Sequence, residues 1–390
     1  MGSAEACSDE DRPVIFVIDE ARDVTGALMA ARRQAQLLSD VARFVLVLPN
    51  DSRLDHADLP EFESVLHLPI VGLRRSARAL ARYLPLLLSC GRQLAIHMRR
   101  HGCTRLQVND FMLAQGAAAR LFGFRGTIIT WVRMDPARQR IYAPLLRLAQ
   151  ATSDYLVAVS GFIRSRLPDG LRARLLYEPA PALLPTADCR LPLRLVFVGN
   201  YIEGKGQDLA IRAFAKVAPD FPEAELVFHG SDMGLEKNRA YRCRLTQIAK
   251  DAGLDTRIIV ADFLSEPGVA LDEALVGLNL SRNESFSLTT QEASARGVAV
   301  IATRSGGPEE IVEHGVTGWL VPVDDVDAAA DAMRAALERP AATMAMGRRG
   351  AELMRSRFPA EPFRMALIEM FGLSSRSAAA IPDSRSEARE

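Results

Sequence analysis

The sequence predicts an α/β protein that is built from two Rossmann-like domains. Apolar runs of strand length alternate with helical segments along most of the chain, and this alternation is typical of parallel sheets covered by helices. At 390 residues the chain is long enough to bury two separate hydrophobic cores. A proline-rich run that includes Pro179, Pro181, Pro185 and Pro192 divides the two halves and predicts a hinge.

Four segments are expected along the chain. The N-terminal domain covers residues 1–185 and the C-terminal domain covers residues 186–358. An amphipathic helix follows over residues 359–373. Residues 374–390 are rich in serine, alanine and charged residues, and this composition favours a disordered tail.

The composition is that of an ordinary globular protein, with 48% hydrophobic residues, 25% charged residues and a net charge of zero. No apolar run has the length of a membrane span, and the N-terminus lacks the basic-then-apolar order of a signal peptide. The five cysteines are scattered and form no C-x-x-C pair. We therefore expect a cytoplasmic protein without a disulfide framework and without a metal site.

The elements of the first half follow from its apolar periodicity. A buried-type strand is predicted at 13–18, and Thr25-Gly26 opens a helix that runs to about Leu38. Further strands are predicted at 44–48, 65–68, 104–108, 127–132 and 154–159. Helices are predicted at 74–100, with breaks at Pro85 and Gly91, and at 112–122 and 161–167.

The stretch from Ile70 to Gln150 is strongly basic. It contains 14 arginines against only Asp110 and Asp135, and the four lysines of the chain all follow residue 200. A basic face of this kind attracts an acidic partner such as an anionic lipid surface, a phosphorylated acceptor or nucleic acid. The plainer alternative is a solvated arginine face over a buried apolar stripe.

The second half begins with a strand at 193–198 and a glycine-rich turn. Glycines at 199, 204 and 206 permit a tight turn that can hold a phosphate, and Lys205 supplies a positive charge at the start of the next helix. The alternative is an ordinary strand–helix turn with a solvated lysine.

Two carboxylates mark the stretch from Ser281 to Pro322. Glu284 lies in the loop after a predicted strand, and Glu292 lies in the helix that Ser285 or Ser287 caps and Gly297 ends. Ligands of open α/β sheets bind beyond the carboxyl ends of the strands, over helix N-termini. The alternative is that Glu284 is solvated and that Glu292 pairs with Arg296 at i+4.

The pattern E-x7-E, followed by G-V-A-V-I-A-T, G-G-P-E-E-I-V and G-V-T-G-W-L-V, resembles the donor half of the retaining family-four glycosyltransferases of the GT-B fold. The resemblance covers about forty residues without a gap and extends to the glycine-rich turn. It implies two domains that face each other across a cleft, with the last helix crossing back to the first domain. No metal or other cofactor is expected if the chain's own positive charge and helix N–H groups stabilise the leaving diphosphate.

The resemblance further implies roles for individual residues. Lys205 would bind the donor diphosphate, Glu284 the transferred sugar and Glu292 the ribose. Lys205 and Glu284 are the expected catalytic residues. The expected donor-binding residues are Gly199, Asn200, Lys205, Glu284, Ser285, Phe286, Ser287, Leu288 and Glu292. Asn200 stands where the family usually has an arginine, and this removes one positive charge from the phosphate site.

The first half matches the family only in outline. Val132 or Arg133 stands where a histidine is common, and Glu178 to Pro181 replaces the usual N-G-V-D. The expected acceptor-binding residues are Gly26, Arg133 and Asp135.

The sequence therefore predicts a retaining glycosyltransferase that moves a sugar from a nucleotide-diphosphate sugar to an acceptor hydroxyl in cell-surface glycan or polysaccharide biosynthesis. The basic stretch favours a lipid-linked or otherwise anionic glycan acceptor, with peripheral contact at the inner membrane surface and no nucleic acid partner. The alternatives are a nucleotide-sugar epimerase of the same fold and a non-catalytic nucleotide-sugar-binding subunit.

Overall fold

The structure is a computed structural model that describes residues 12–72, 77–139, 142–181, 192–264 and 267–374. It contains two parallel sheets of seven and six strands, each covered by helices, as the alternating pattern predicts. The predicted tail lies outside the described residues except for Ser374, and so do Pro185 of the hinge and Arg74, Arg75 and Arg140 of the basic stretch.

The N-terminal sheet has the strand order β3-β2-β1-β4-β5-β6-β7. Its strands are β1 (Val14–Ile18), β2 (Arg43–Pro49), β3 (Ser64–Leu68), β4 (Arg105–Val108), β5 (Thr127–Val132), β6 (Tyr155–Ala158) and β7 (Arg174–Leu175). Its helices are α1 (Gly26–Leu37), α2 (Ala77–Arg100), α3 (Gln115–Leu121), α4 (Tyr142–Thr152) and α5 (Gly161–Ser165). Strand β1 is buried along its whole length, as expected for a central strand covered on both faces.

The C-terminal sheet has the strand order β10-β9-β8-β11-β12-β13. Its strands are β8 (Arg194–Val198), β9 (Glu225–His229), β10 (Ile258–Ala261), β11 (Val276–Asn279), β12 (Ala299–Thr303) and β13 (Gly318–Val321). Its helices are α6 (Gln207–Val217), α7 (Glu236–Asp251), α8 (Pro267–Asp272), α9 (Leu288–Ala295), α10 (Val326–Glu338) and α11 (Pro340–Arg357), and α12 (Ala360–Phe371) ends the described chain.

Both sheets reverse their strand order at one point. In the first sheet β1 pairs with both β2 and β4, and in the second sheet β8 pairs with both β9 and β11. The crevice outside the carboxyl ends of strands at such a switch point is where open α/β sheets bind ligands. The loops that follow β1, β4, β8 and β11 therefore border the expected ligand crevices.

The expected breaks in the basic helix are wrong, because α2 runs without interruption from Ala77 to Arg100. Pro85 and Ala81, whose carbonyl loses its helical partner, are both exposed, so water can satisfy that carbonyl. Gly91 serves close packing instead of a break, since a Cβ there would lie 2.5 Å from the Cβ of Ala118 in α3.

The prediction that the last helix crosses back to the first domain is confirmed. Arg364 of α12 donates to both carboxylate oxygens of Asp40, at 2.9 and 2.7 Å. Arg105 at the start of β4 donates to the carbonyl of Phe371 at 2.7 Å. The ring of Phe363 lies 6.2 Å from that of Trp131 in β5.

The two domains also meet through an aromatic cluster and a shared carboxylate. The rings of Tyr177, Phe286 and Phe358 lie 5.3 to 5.8 Å apart. Glu310 accepts hydrogen bonds from the N–H groups of Gly161 and Phe162 and from the hydroxyl of Tyr177. The carboxylate and burial together raise the pKa of Tyr177 to about 12, with burial the larger cause. These contacts hold the domains face to face.

Candidate functional site

A cleft of about 830 Å³ lies between the carboxyl edges of the two sheets, within the size range of small-molecule sites. All twelve residues that the sequence analysis assigned to donor or acceptor binding line it. They are Gly26, Arg133, Asp135, Gly199, Asn200, Lys205, Glu284, Ser285, Phe286, Ser287, Leu288 and Glu292.

Lys205 and Glu284 meet on the C-terminal wall of the cleft. They follow β8 and β11, which pair directly at the switch point. Lys205 Nζ lies 2.7 Å from Glu284 Oε1, and Ser281 Oγ donates to the same oxygen at 2.7 Å. The lysine side chain is 36% exposed and the glutamate 13%. The pair is therefore oriented by its neighbours but still open to a ligand.

The turn that carries Lys205 depends on Gly206. This residue has φ +88°, and a Cβ there would lie 2.0 Å from the carbonyl oxygen of Leu280. Only glycine fits both the left-handed conformation and the close approach. The turn therefore brings the start of α6 against the end of β11, where Glu284 follows.

The N-terminus of α9 opens into the cleft beside Glu284. Ser287 caps the helix, with its Oγ accepting from the N–H of Thr290 at 3.3 Å and from Asn279 Nδ2 at 2.6 Å. Its φ of +82° is rare for a residue with a side chain. The first N–H groups of a helix have no intrahelical partner, so this end of α9 can receive an anion. The ring of Phe286 is 4% exposed and packs into the aromatic cluster.

Glu292 contacts the N-terminal domain. Its Oε2 lies 2.8 Å from Arg33 Nη2 of α1. The alternative partner, Arg296, is further away at 3.6 Å, and its Nη1 is bound to both oxygens of Asp272 at 2.8 and 2.9 Å. The local i+4 pairing is therefore the weaker contact.

Asn200 joins the walls without contributing charge. Its Nδ2 donates to the carbonyl of Val24 at 3.3 Å, and its Oδ1 accepts from the N–H of Ser231 at 3.2 Å. Gly199 lies beside it, where its carbonyl is 2.2 Å from the position of a Cβ on Gly230. Two glycines thus allow the ends of β8 and β9 to approach closely.

The expected acceptor residues lie on the N-terminal wall, but two of them are already engaged. Arg133 stacks over Trp131 at 4.5 Å and donates to Glu178 Oε1 at 2.8 Å. Asp135 accepts from Arg166 Nε at 2.8 Å and from Asn283 Nδ2 at 3.2 Å. Gly26 is exposed at the start of α1.

The comparisons with known proteins agree with this geometry. Residues 192–353 match the model of the family "Glycosyl transferases group 1". The C-terminal domain is therefore similar to the domain that this family model describes, and the resemblance that its sequence predicts is confirmed.

Curated relatives match parts of the chain. A D-inositol 3-phosphate glycosyltransferase of Kribbella flavida is 34% identical over 166 residues, which are 40% of this chain and 38% of the relative. A GDP-mannose-dependent α-(1-6)-phosphatidylinositol monomannoside mannosyltransferase of Mycobacterium tuberculosis is 31% identical over 61% of this chain and 65% of the relative. The chain thus spans less than two thirds of the length of these relatives.

Solved structures share the whole two-domain fold. Anabaena HepE in complex with UDP and glucose superimposes with a TM-score of 0.77 and 17% identity, over 92% of this chain and 99% of that one. Sucrose-phosphate synthase of Thermosynechococcus elongatus superimposes with a TM-score of 0.75 and 20% identity, over 93% and 98%. Both domains of this chain therefore have the GT-B arrangement.

Opposite the C-terminal domain, the N-terminal wall contains acids that the sequence did not predict as part of the site. Asp19 and Asp110 follow the paired strands β1 and β4 and are only 3% and 8% exposed. Asn109 donates to Asp19, and Asp110 accepts from the N–H groups of Met112 and Arg133 at 2.9 and 3.2 Å. Burial raises the pKa of Asp19 and raises the pKa of Asp110 to about 7.

The sequence also did not predict three further residues of the site, Arg33, Glu178 and Ser281. Glu178 was noted only as part of a departure from the family pattern, yet it is 1% exposed and accepts from both Arg133 and Gln34. Each of these contacts joins residues far apart in the sequence, apart from that between Ser281 and Glu284. The S-x-x-E spacing of that pair was the only available sequence signal.

In the ranges that the structure describes, no group of three or more His, Cys, Asp or Glu residues could hold a metal ion. In the acidic run after Pro322, Asp325 caps α10, and Asp324 accepts from Arg282. Among these same ranges, no helix combines the length and the hydropathy that crossing a bilayer requires.

Proposed function

We propose that this protein is a retaining glycosyltransferase that moves a sugar from a nucleotide-diphosphate sugar to an acceptor hydroxyl. The observation that carries the proposal is the meeting of Lys205, Glu284 and the open N-terminus of α9 in one interdomain cleft. A cation, a helix N-terminus and a carboxylate are the groups that bind a diphosphate and a sugar hydroxyl.

The proposed chemistry depends on the leaving group. As the bond between the sugar C1 and the diphosphate breaks, negative charge grows on the diphosphate. Lys205 and the first N–H groups of α9 stabilise that charge, so they act more strongly in the transition state than in the ground state. Glu284 orients both the lysine and the sugar, and the chain's own groups supply this stabilisation without a metal or other cofactor.

Retention of configuration is part of the proposal and rests on the resemblance to the family. The acceptor hydroxyl would attack C1 from the face that the diphosphate leaves, and its proton would pass to an oxygen of the departing diphosphate. Product stereochemistry, read from the anomeric proton coupling in the NMR spectrum, tests this point.

We propose a lipid-linked or otherwise anionic glycan acceptor, presented at the inner membrane surface. Support comes from α2, on which Arg82, Arg92, Arg99 and Arg100 are exposed. Leu84 on the same helix is 58% exposed. A helix with exposed arginines and an exposed leucine suits the surface of an anionic membrane.

Neither the epimerase nor the non-catalytic subunit is favoured by a specific observation. The curated relatives have names of transferases and synthases, whereas an epimerase would need no acceptor wall. Release of free nucleotide from a donor, measured with and without an acceptor extract and anionic lipid vesicles, separates the three functions.

The decisive variants are Lys205→Ala and Glu284→Ala. Loss of a group that stabilises the leaving charge should lower turnover by about 100-fold or more. Lys216→Ala on the exposed end of α6 is a matched control, since its ion pair with Asp327 lies outside the cleft. Turnover near the wild-type rate in both site variants would rule out the proposal.

A further inference from the structure

Helix α1 carries two neighbouring arginines whose partners lie in different domains. Arg32 holds Glu61 of the N-terminal domain through two hydrogen bonds of 2.6 and 3.0 Å. Arg33 instead crosses the cleft, and its Nη2 binds Glu292 Oε2 of the C-terminal domain at 2.8 Å. The two side chains are similarly buried, at 22% and 20% exposure. The two arginines are therefore neighbours with similar burial, but their partners lie in different domains.

Arg33 is the cation that holds Glu292. Arg296 is the only other cation recorded near this carboxylate among the described residues, and its Nε is 3.6 Å away. That nitrogen has no hydrogen-bond partner, and Arg296 Nη1 is bound to both carboxylate oxygens of Asp272. The orientation of Glu292 therefore depends on a residue of the opposite domain.

The ion pair between Arg33 and Glu292 leaves one acceptor atom and one donor atom without hydrogen bonds. Within the described part of the chain, no donor lies within hydrogen-bond distance of Glu292 Oε1, and Arg33 Nη1 is buried without a partner. A carboxylate oxygen accepts and a guanidinium nitrogen donates, while a hydroxyl does both. Glu292 lines the cleft, and its unused acceptor oxygen is complementary to a ligand hydroxyl such as those of a ribose.

We propose that Arg33 is a positioning residue for the donor: it orients Glu292 toward the ribose hydroxyls, so that recognition of the ribose requires the two domains to face each other. This inference rests on the proposed function, because it needs a nucleotide donor in the cleft. It adds that the N-terminal domain takes part in binding the donor as well as the acceptor.

Motion of the two domains would break the contact between Arg33 and Glu292. If the N-terminal domain moves away, Arg33 leaves Glu292, and the carboxylate loses its charged partner and its fixed orientation. The ribose then gains binding energy only in the closed arrangement, and this difference in affinity favours closure. Donor binding and assembly of the acceptor wall are coupled through one ion pair.

The test measures preference for the ribose and not binding alone. Full-length wild type is titrated by calorimetry with UDP, GDP and ADP, and the tightest of these is compared with its 2′,3′-dideoxy form. The wild type should prefer the ribose form by roughly tenfold or more, as expected for hydrogen bonds to a charged group. In Arg33→Gln that preference should fall to about twofold or less.

Arg32→Gln is the matched control. It removes a bidentate pair from the same helix, so it should lower the melting temperature at least as much as Arg33→Gln but keep the wild-type ribose preference. Arg33→Lys, which retains the charge, should restore part of the preference. Glu292→Gln combined with Arg33→Gln should lose no more preference than Glu292→Gln alone.

The outcomes separate the two claims. If Arg33→Gln binds nucleotide with the full wild-type ribose preference, Arg33 is only a structural contact and the inference is overturned. If wild type binds none of the three nucleotides, the proposed function itself fails, and the role of Arg33 fails with it.

Discussion

The two walls of the cleft occupy equivalent positions in two similar sheets, but their chemistry differs. The C-terminal wall places a lysine and a glutamate after β8 and β11, partly exposed and paired with each other. The N-terminal wall places two aspartates after β1 and β4, both nearly buried. The same topology thus builds an accessible ion pair on one side and a buried polar network on the other.

Because of this difference, we expect the charges of the C-terminal wall to serve ligand binding and those of the N-terminal wall to affect the stability of the fold. Charges on the C-terminal wall retain contact with solvent, so they are available to a ligand and contribute little to folding. Charges on the N-terminal wall have lost their water and depend on one another. Variants of the two walls should therefore fail in different ways, and the following predictions test that contrast.

The largest effect on stability is expected for Arg133→Ala on the N-terminal wall. Its loss leaves Glu178, which is 1% exposed, without its cation, and removal of one partner from a buried pair is strongly destabilising. We expect the free energy of unfolding to fall by about 3 kcal/mol, as measured by urea denaturation.

The double variant Arg133→Ala/Glu178→Gln is the control for this effect. It removes the uncompensated charge and should recover part of the lost stability, giving clear non-additivity. Equal or greater destabilisation in the double variant would show that packing against Trp131, and not charge, dominates.

An intermediate effect is expected from the pH dependence of Asp110. Burial raises its pKa from 3.8 to about 7 in the folded chain. Between about pH 4 and 7 the unfolded chain has released the proton that the folded chain retains. The contribution of Asp110 to the free energy of unfolding is therefore greatest below pH 4, falls across this window and is constant above it.

Asp110→Asn removes this titration. The wild-type free energy of unfolding should fall relative to that of the variant as the pH rises from 4 to 7, when both are measured by urea denaturation. Parallel pH profiles for the two proteins would contradict the raised pKa of Asp110.

The smallest effect on stability is expected for Lys205→Ala on the C-terminal wall. The lysine is 36% exposed, and exposed ion pairs contribute less than about 1 kcal/mol. The variant should unfold at nearly the wild-type urea concentration although its turnover is strongly reduced. If Lys205→Ala lost as much free energy of unfolding as Arg133→Ala, the proposed difference in stability between the two walls would be wrong.

The C-terminal wall could be predicted from the sequence because its caps, turns and charged residues are set by short stretches of consecutive residues. Ser287 caps α9 and Gly297 follows its end, as the pattern around Glu292 predicts. Lys205 and Glu284 each follow a strand whose place in the sheet the alternating pattern indicates. Short-range capping and glycine conformations are properties of a few consecutive residues.

The N-terminal wall could not be predicted in the same way. Arg133 and Asp135 lie on the cleft as expected, but their partners Glu178 and Asn283 are distant in the sequence. In the sequence, Arg33 cannot be distinguished from the other arginines on helices, because its partner Glu292 lies in the opposite domain. Such pairs depend on the way the domains face each other, and no local periodicity contains that information. The wrong helix break at Pro85 has the same origin, since it depends on which face meets solvent.

A crystal structure of the protein with bound nucleotide tests the central claim most directly. Crystals would be soaked with whichever of UDP, GDP and ADP binds most tightly. The account predicts that the diphosphate lies within hydrogen-bond distance of Lys205 Nζ and of the first N–H groups of α9, with the ribose against Glu292. A nucleotide bound outside the interdomain cleft, or bound there with its phosphates away from Lys205 and α9, would contradict it.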